Sequence, residues 1–200
     1  MTTSRGDRHG AAATALGACL LLTACTDASA PTRTPTPEPT ATATPTTSPT
    51  PTPTTDVTVA PQRPEAMATP SADGAAAAAS YFISLFPYIN ATGDLVEWNA
   101  LSSPECTFCA GVRTNVEELH TQGNRNLGGA EILSATGTEV DAGRWYSARL
   151  HVVIAPSVDV DASGTLLDEH PKEDRQIDVV MTWQDGWTID EVGPAAVPQT

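Results

Sequence analysis

Two cysteines three positions apart, Cys106 and Cys109, are the residues whose type and spacing most directly suggest chemistry. They are predicted to lie at the N-terminus of a helix, where the helix dipole lowers a thiol pKa and favours redox activity. A thioredoxin-type site follows a strand, however, whereas helices are predicted on both sides of this pair. We therefore expect a structural disulfide, which is the normal state of such a pair in an oxidising compartment, and keep a thiol-disulfide oxidoreductase as an alternative.

Metal-binding patterns in the chain are incomplete. A closed zinc site needs four ligands, and only His120, His151 and His170 could supplement the two sulfurs. The segment 159–164 matches the first half of a calcium-binding loop, but the twelfth position is His170 in place of a bidentate glutamate. An acidic hairpin tip with Gly164 in the left-handed conformation explains the same residues. We therefore predict no metal and no cofactor.

Three polar side chains on predicted strands, Arg149, His151 and Asp178, are the candidates for a catalytic group. They fall on the strand faces opposite the apolar residues, so we expect an exposed ladder of ion pairs that faces solvent or a partner. The chain also lacks the motifs of serine hydrolases, P-loop proteins and HExxH metalloproteases. We assign no catalytic residue.

The N-terminus has the layout of a secretory signal. Arg5 and Arg8 precede an apolar stretch from Ala11 to Leu22, which is too short for a permanent membrane span. The run Leu22-Thr23-Ala24-Cys25 resembles the lipobox of bacterial lipoproteins. That resemblance implies cleavage before Cys25 and its modification by diacylglyceryl and a further acyl chain such as palmitate, which together anchor a protein stably. The alternative is an ordinary secretory signal with Cys25 as an incidental thiol.

A linker rich in proline and threonine follows. Residues 31–55 contain 8 prolines and 12 threonines, a composition that cannot bury enough apolar surface to fold. Proline extends such a tether, to a reach on the order of 100 Å between Cys25 and Pro64. We therefore divide the chain into a lipoprotein signal peptide at 1–24, the lipidated cysteine and disordered linker at 25–62, a folded domain at 63–195 and a tail at 196–200.

The charge is strongly acidic, with 24 acidic against 10 basic side chains and a formal net charge of −14. Such a surface repels nucleic acid and anionic lipid headgroups. We expect two kinds of partner: the bilayer, through the acyl chains on Cys25, and the cell wall or a protein of the cell envelope.

Three helices are predicted at the start of the domain. Apolar residues recur at helical spacing from Ala75 to Ile89, and Pro87 is expected to kink this helix or end it early. The second helix covers Leu95 to Leu101 and is opened by a capping box of Asp94 and Glu97. The third begins at Ser103-Pro104-Glu105 and ends at Gly123.

The rest of the domain is predicted to be β-sheet. Four strands are expected, over residues 131–140, 145–154, 175–183 and 187–192. Between Trp145 and Ile154 apolar and polar residues alternate, as expected for a strand with one buried face. Helices followed by an antiparallel sheet constitute an α+β fold.

Several segments resemble known families. The helix pattern, the run Thr92-Gly93-Asp94 and the segment from Trp183 to Asp190 resemble the cone-shaped NTF2-like (SnoaL-like) superfamily. More narrowly, Arg63-Pro64-Glu65-Ala66-Met67, the alanine-rich first helix and Cys106-Thr107-Phe108-Cys109 resemble an actinobacterial lipoprotein family that carries a domain of unknown function. The resemblance implies about three N-terminal helices packed on a curved antiparallel sheet, and it implies no activity. Six residues could line a pocket in such a cone: Tyr81, Phe82, Phe86, Trp98, Met181 and Trp183.

We therefore expect a membrane-anchored, wall-facing lipoprotein whose domain binds or scaffolds without catalysis. The alternative is a small cone-fold enzyme or a binder of apolar ligands, which requires an open cavity between the first helix and the sheet. An interior filled by Phe82, Phe86, Trp98 and Met181 would instead leave the outer surface as the place of function.

Overall fold

The computed structural model describes residues 56–195. The predicted signal peptide, Cys25, most of the linker and the tail lie outside these residues. A 3-10 helix (Glu65–Ala68) comes first in the described part of the chain. The α-helices are α1 (Ala72–Thr92), α2 (Val96–Leu101) and α3 (Thr107–Thr121), and the strands are β1 (Arg125–Leu127), β2 (Ala130–Asp141), β3 (Trp145–Ile154), β4 (Ser157–Val160), β5 (Leu166–His170), β6 (Glu173–Trp183) and β7 (Trp187–Pro194).

Helix α1 is defined by a cap at each end. The Ser71 hydroxyl accepts a hydrogen bond from the Gly74 amide at 3.0 Å, and Gly93, at φ 75°, donates its amide to the Ile89 carbonyl. The helix does not end at Pro87 but continues to Thr92. Burial explains this, because Leu85 and Ile89 on either side of the proline are almost completely buried and their packing offsets the lost backbone hydrogen bond.

The expected capping box of α2 does not form. Glu97 extends instead towards the chain that precedes α1, where its Oε2 accepts hydrogen bonds from Arg63 Nη2 at 2.6 Å and from Tyr81 Oη at 3.1 Å. Asp94 still caps the turn, since its Oδ1 accepts from the Val96 amide at 3.1 Å. Arg63 and Glu97 are 34 positions apart in the sequence, so no local sequence pattern predicts their contact.

The strands form two antiparallel sheets. A four-stranded sheet has the order β2-β3-β6-β7, and a three-stranded sheet has the order β1-β4-β5. Two short connections join the sheets. Gly128-Gly129 connects β1 of the three-stranded sheet to β2 of the four-stranded sheet, and Ala155-Pro156 connects β3 to β4. The predicted α+β class with antiparallel sheets is therefore confirmed, and the three-stranded sheet is an addition to it.

Helix α1 packs against the four-stranded sheet, mainly against β2 and β3. Gly137 of β2 permits close approach, because a Cβ there would lie 1.8 Å from the Ala72 carbonyl oxygen. Large side chains fill the space between the layers; the rings of Phe82 and Trp98 stack at 4.1 Å, and Trp98 Nε1 donates to the Cys109 carbonyl at 3.1 Å. The helix–sheet interior is thus a packed core.

Among residues 56–195, the helices provide no stretch with the length and apolar character needed to cross a membrane.

Candidate functional site: an open cleft beside the core

The structure separates the six residues predicted to line a pocket. Tyr81, Phe82, Trp98 and Met181 are at most 4 % exposed and belong to the packed core. Phe86 lies on an open cleft at one end of the helices, and Trp183 lies on a different groove. The structure therefore does not bring these residues together around one cavity.

Cys106 and Cys109 form the predicted disulfide. Both residues are only 1 % exposed, and Cys106 is the N-cap of α3, where its sulfur accepts a hydrogen bond from the Cys109 amide at 3.2 Å. The Cys109 carbonyl in turn receives the indole N–H of Trp98. Because the sulfurs are buried in these contacts, the pair joins the start of α3 to the core and is poorly placed to exchange with an external thiol.

The segment resembling a calcium loop is the tip of the β4–β5 hairpin. Asp161 Oδ1 accepts hydrogen bonds from the Ser163 and Thr165 amides at 2.8 and 2.9 Å, and Gly164 has φ 86°. The predicted hairpin tip is thus confirmed, with its aspartate used in the turn itself. Within the described part of the chain, no group of His, Cys, Asp or Glu side chains is arranged to hold a metal ion.

The predicted ladder of ion pairs is also confirmed. Arg149 makes two hydrogen bonds of 2.8 Å to the Asp178 carboxylate, and His151 Nε2 lies 2.8 Å from Asp174 Oδ1. These pairs lie on the face of the four-stranded sheet opposite the core, which we call the outer sheet face. Both pairs connect β3 to β6: Arg149 lies directly opposite Asp178 in the register, and Asp174 lies diagonally across from His151.

A cleft of about 400 Å³ lies between α1, α3 and the three-stranded sheet and is hereafter called the cleft. This volume lies within the usual range for small-molecule sites. Its lining combines apolar side chains with amides and a few ionisable groups: Phe86, Pro87, Asn90, Asn115, Leu119, Asn126, Gly128, Gly129, Ile154, Ser157, Asp159, His170, Pro171 and Glu173.

The polar wall of the cleft is organised by Asp159 on β4. One carboxylate oxygen, Oδ1, accepts from Asn126 Nδ2 at 2.7 Å, and the other, Oδ2, lies 3.1 Å from His170 Nε2. Asn126 also donates to the Ser157 hydroxyl at 3.2 Å. The hydrogen bond from Asp159 raises the pKa of His170 above its ordinary value. Four side chains from β1, β4 and β5 are thus held in one hydrogen-bonded row.

The opposite wall is apolar and comes from the helices. Phe86 and Pro87 of α1 and Leu119 of α3 line the cleft, and Asn115 stands at its side. Among residues 56–195, the Asn115 side chain makes no hydrogen bond. Its amide is therefore available to a ligand, and the cleft can receive a molecule with an apolar part and hydrogen-bonding amide or hydroxyl groups.

A glycine shapes the floor of the cleft. A Cβ on Gly128 would lie 2.1 Å from the Ser157 Cβ, so only glycine lets the β1–β2 bend pass this close to β4. Two residues before this bend, Asn126 lies directly opposite Asp159 in the β1–β4 pair. The Gly128-Gly129 pair is a sequence signal for a bend here, but the sequence alone does not show that the bend borders a cleft.

A second groove, of about 460 Å³, lies beneath the segment that leads into α1. Trp187 Nε1 donates to the Met67 carbonyl at 2.8 Å, and the Arg63 guanidinium lies 5.6 Å from the centre of the Tyr81 ring. Burial and the hydrogen bond to Glu97 raise the pKa of Tyr81. These contacts fasten the N-terminal segment to the domain, so we interpret the groove as structural.

Comparison with known proteins gives a family and no activity. A family model described as "Family of unknown function (DUF6318)" matches residues 43–193. A search of curated proteins found no match.

Three solved structures are similar to the chain at low identity. The intermembrane space region of the chloroplast protein ARC6 is 13% identical, with a TM-score of 0.47 and coverage of 64% of this chain and 98% of that one. An uncharacterized protein with a cystatin-like fold from Caulobacter vibrioides is 10% identical, with a TM-score of 0.39 and coverage of 60% and 87%. A putative polyketide cyclase from Xanthomonas campestris pv. campestris is 14% identical, with a TM-score of 0.31 and coverage of 58% and 88%.

Proposed function

We propose that the chain, which belongs to the DUF6318 family of unknown function, is a lipoprotein anchored by acyl chains on Cys25 to the extracytoplasmic face of a bacterial cell membrane. The support is the run Leu22-Thr23-Ala24-Cys25 after a short apolar stretch. The Pro/Thr-rich linker then holds the domain away from the membrane, in the cell wall. These residues lie outside the described part of the chain, so the proposal depends on their sequence alone.

The domain fits an NTF2-like cone of actinobacterial lipoprotein type. This proposal is supported by the order of the elements, three helices followed by antiparallel strands, and by the packing of α1 along β2 and β3. Its interior differs from that of a cone with a deep pocket, because Phe82, Trp98 and Met181 fill it.

The domain acts by binding, and its ligand site is the cleft. The observation that carries this proposal is the contrast between the packed interior and the open cleft, whose hydrogen-bonded row of Asn126, Asp159 and His170 faces the apolar wall of α1 and α3. Asp159, Glu173 and the overall acidic charge disfavour anions. The ligand is therefore a small neutral or cationic molecule with amide or hydroxyl groups, such as a fragment of the cell wall.

The cleft can be blocked from one side. Asn115→Trp places a large side chain at the rim without removing a hydrogen bond, and Glu118→Trp makes the same change on an exposed part of α3 outside the cleft. Saturation-transfer NMR would be recorded on the full chain with Cys25→Ala, using neutral oligosaccharides released from cell wall. We expect ligand signals for the unblocked chain and for Glu118→Trp, and their loss for Asn115→Trp. Equal signals for both tryptophan variants would refute the cleft as the site.

The anchor has its own test. Cys25→Ala removes the acylated side chain, so the protein should move from the membrane fraction to the medium when it is expressed in a bacterium that makes lipoproteins. A Cys19→Ala variant, in which the signal changes but the lipobox stays, should remain with the membrane. Retention of Cys25→Ala in the membrane fraction would contradict the anchor.

A second candidate function, acid–base catalysis by a small cone-fold enzyme, is favoured by one observation. His170 is paired with Asp159, and this carboxylate raises the pKa of the imidazole, an arrangement that suits a general base or acid. A catalytic role predicts that His170→Gln abolishes turnover of cleft ligands while leaving their affinity within a few fold. If the ligands recovered from the wild-type chain are chemically unchanged, catalysis is excluded for them.

A further inference from the structure

We propose that the outer sheet face is a second binding surface, which takes a neutral, polyhydroxylated polysaccharide chain. The face carries a shallow groove of about 670 Å³ across β2, β3 and β6. It lies on the side of the four-stranded sheet away from α1 and shares no residue with the cleft. The inference therefore goes beyond the proposed function and depends on separate side chains.

The register of the strands places polar groups in three rows. Thr136 pairs with Arg149, and Arg149 pairs with Asp178, to form the central row. Ser134 with His151 and Gln176 forms the row on one side, and Thr138 with Ser147 and Val180 forms the row on the other. Successive outward residues of a strand are about 7 Å apart and neighbouring strands about 5 Å apart. Apart from Val180, every position in these rows carries a hydrogen-bonding side chain.

Several of these groups have no partner within the domain. Among residues 56–195, the side chains of Ser134, Thr136, Thr138 and Ser147 make no hydrogen bond, so their hydroxyls are free to donate to and accept from a ligand. A hydroxyl can do both at once, which suits a ligand whose own groups are hydroxyls. Four such groups from two adjacent strands on one face can follow an extended chain of sugar rings.

The charges of the face indicate a neutral ligand. Its central cation, Arg149, is neutralised by a two-point contact with Asp178, and His151 is paired with Asp174. An anionic polysaccharide would meet these carboxylates and a chain with a net charge of −14. A neutral chain encounters neither repulsion nor an unpaired charge that would have to be desolvated.

The composition of the face disfavours a protein partner. Protein interface cores are enriched in aromatic residues and methionine and depleted of serine, whereas here hydroxyls dominate. One aromatic residue completes the surface: Trp145 is 43% exposed and, by the alternation of β3, projects on the same side as Ser147. An indole at the end of the groove offers an apolar plane on which the C–H side of a sugar ring can pack.

The test is affinity electrophoresis of the full chain with Cys25→Ala in native gels containing dissolved galactan, arabinan or glucan. The double variant Thr136→Val/Thr138→Val removes two hydroxyls while keeping β-branched side chains that suit a strand. We expect at least one of the three polysaccharides to retard the chain, and the double variant to bind about 10-fold more weakly, as expected for two lost hydrogen bonds. The control variant Thr121→Val, which changes an exposed residue at the end of α3, should be retarded as strongly as the chain whose outer sheet face is unchanged.

Three outcomes would overturn the proposal. The first is no retardation by any of the three polysaccharides. The second is equal retardation of the double variant and of Thr121→Val, which would place binding elsewhere. The third is a dimer in analytical ultracentrifugation that Thr136→Val/Thr138→Val dissociates, which would assign the face to a second copy of the chain.

Discussion

Replacing Phe82 by alanine tests whether the helix–sheet interior is a core or a ligand pocket. Phe82 is fully buried, and its ring stacks on Trp98 at a centroid distance of 4.1 Å. Removing a buried phenylalanine ring costs about 3 to 5 kcal/mol, of which the lost aromatic stacking accounts for about 0.5 to 1.5 kcal/mol. We therefore expect the free energy of unfolding to fall by about 4 kcal/mol.

Urea unfolding followed by circular dichroism measures this loss. For a domain with about 140 described residues, the same loss corresponds to a fall of roughly 12 to 20 °C in Tm. Phe108→Ala is the matched control, because Phe108 is 39% exposed and its ring centre lies 6.3 Å from that of Trp98. Phe108→Ala should lower the free energy of unfolding by about 1 to 2 kcal/mol, because a partly exposed ring buries less apolar surface than Phe82 does. If Phe82→Ala costs no more than Phe108→Ala, the interior is not tightly packed and can itself admit a ligand.

The remaining predictions concern single contacts and use the same unfolding assay. Replacing both Cys106 and Cys109 by alanine opens a very short loop and should cost about 2 kcal/mol by the chain-entropy model; an unchanged urea midpoint would show that the disulfide does not restrain the unfolded chain. Gly137→Ala would place its Cβ 1.8 Å from a backbone oxygen of α1 and should cost about 1 to 3 kcal/mol, whereas Gly111→Ala in α3 meets open space and should stabilise by about 0.5 to 1 kcal/mol. Similar effects of the two changes would contradict the close approach of α1 to β2. The pKa of His170 is raised above 6.5, so its hydrogen bond stabilises the fold fully below pH 6.5 and this stability is lost as the pH rises through the raised value. The difference in Tm between the wild type and His170→Gln should therefore be larger in acidic than in alkaline buffer, and a constant difference would show that the bond is not formed in solution.

The elements that could be predicted from the sequence are those with a strong local pattern. Strand β3 has the predicted bounds, Trp145–Ile154, because apolar and polar residues alternate over its whole length. The caps of α1, Ser71 before its first residue and Gly93 after its last, likewise depend on capping chemistry that needs only neighbouring residues.

The cleft could not be predicted because its polar wall comes from short strands without such a pattern. Strands β1, β4 and β5 contain 3, 4 and 5 residues, and β5 is exposed along its whole length. Asn126 lies 33 positions before Asp159, and their contact depends on the pairing of β1 with β4. Glu97 also makes a long-range contact that its local sequence does not indicate. Its carboxylate binds the distant Arg63 instead of forming the predicted capping box at the start of α2.

A titration of the isotopically labelled full chain, carrying Cys25→Ala, with neutral soluble cell-wall fragments would show whether the domain binds through the cleft. Backbone amide spectra would show which residues sense the ligand. Binding in the cleft predicts shifts that cluster at Asn90, Asn126 and His170. Shifts centred on Phe82 and Trp98, or none with any neutral oligosaccharide fraction, would contradict a binding domain that acts through this cleft.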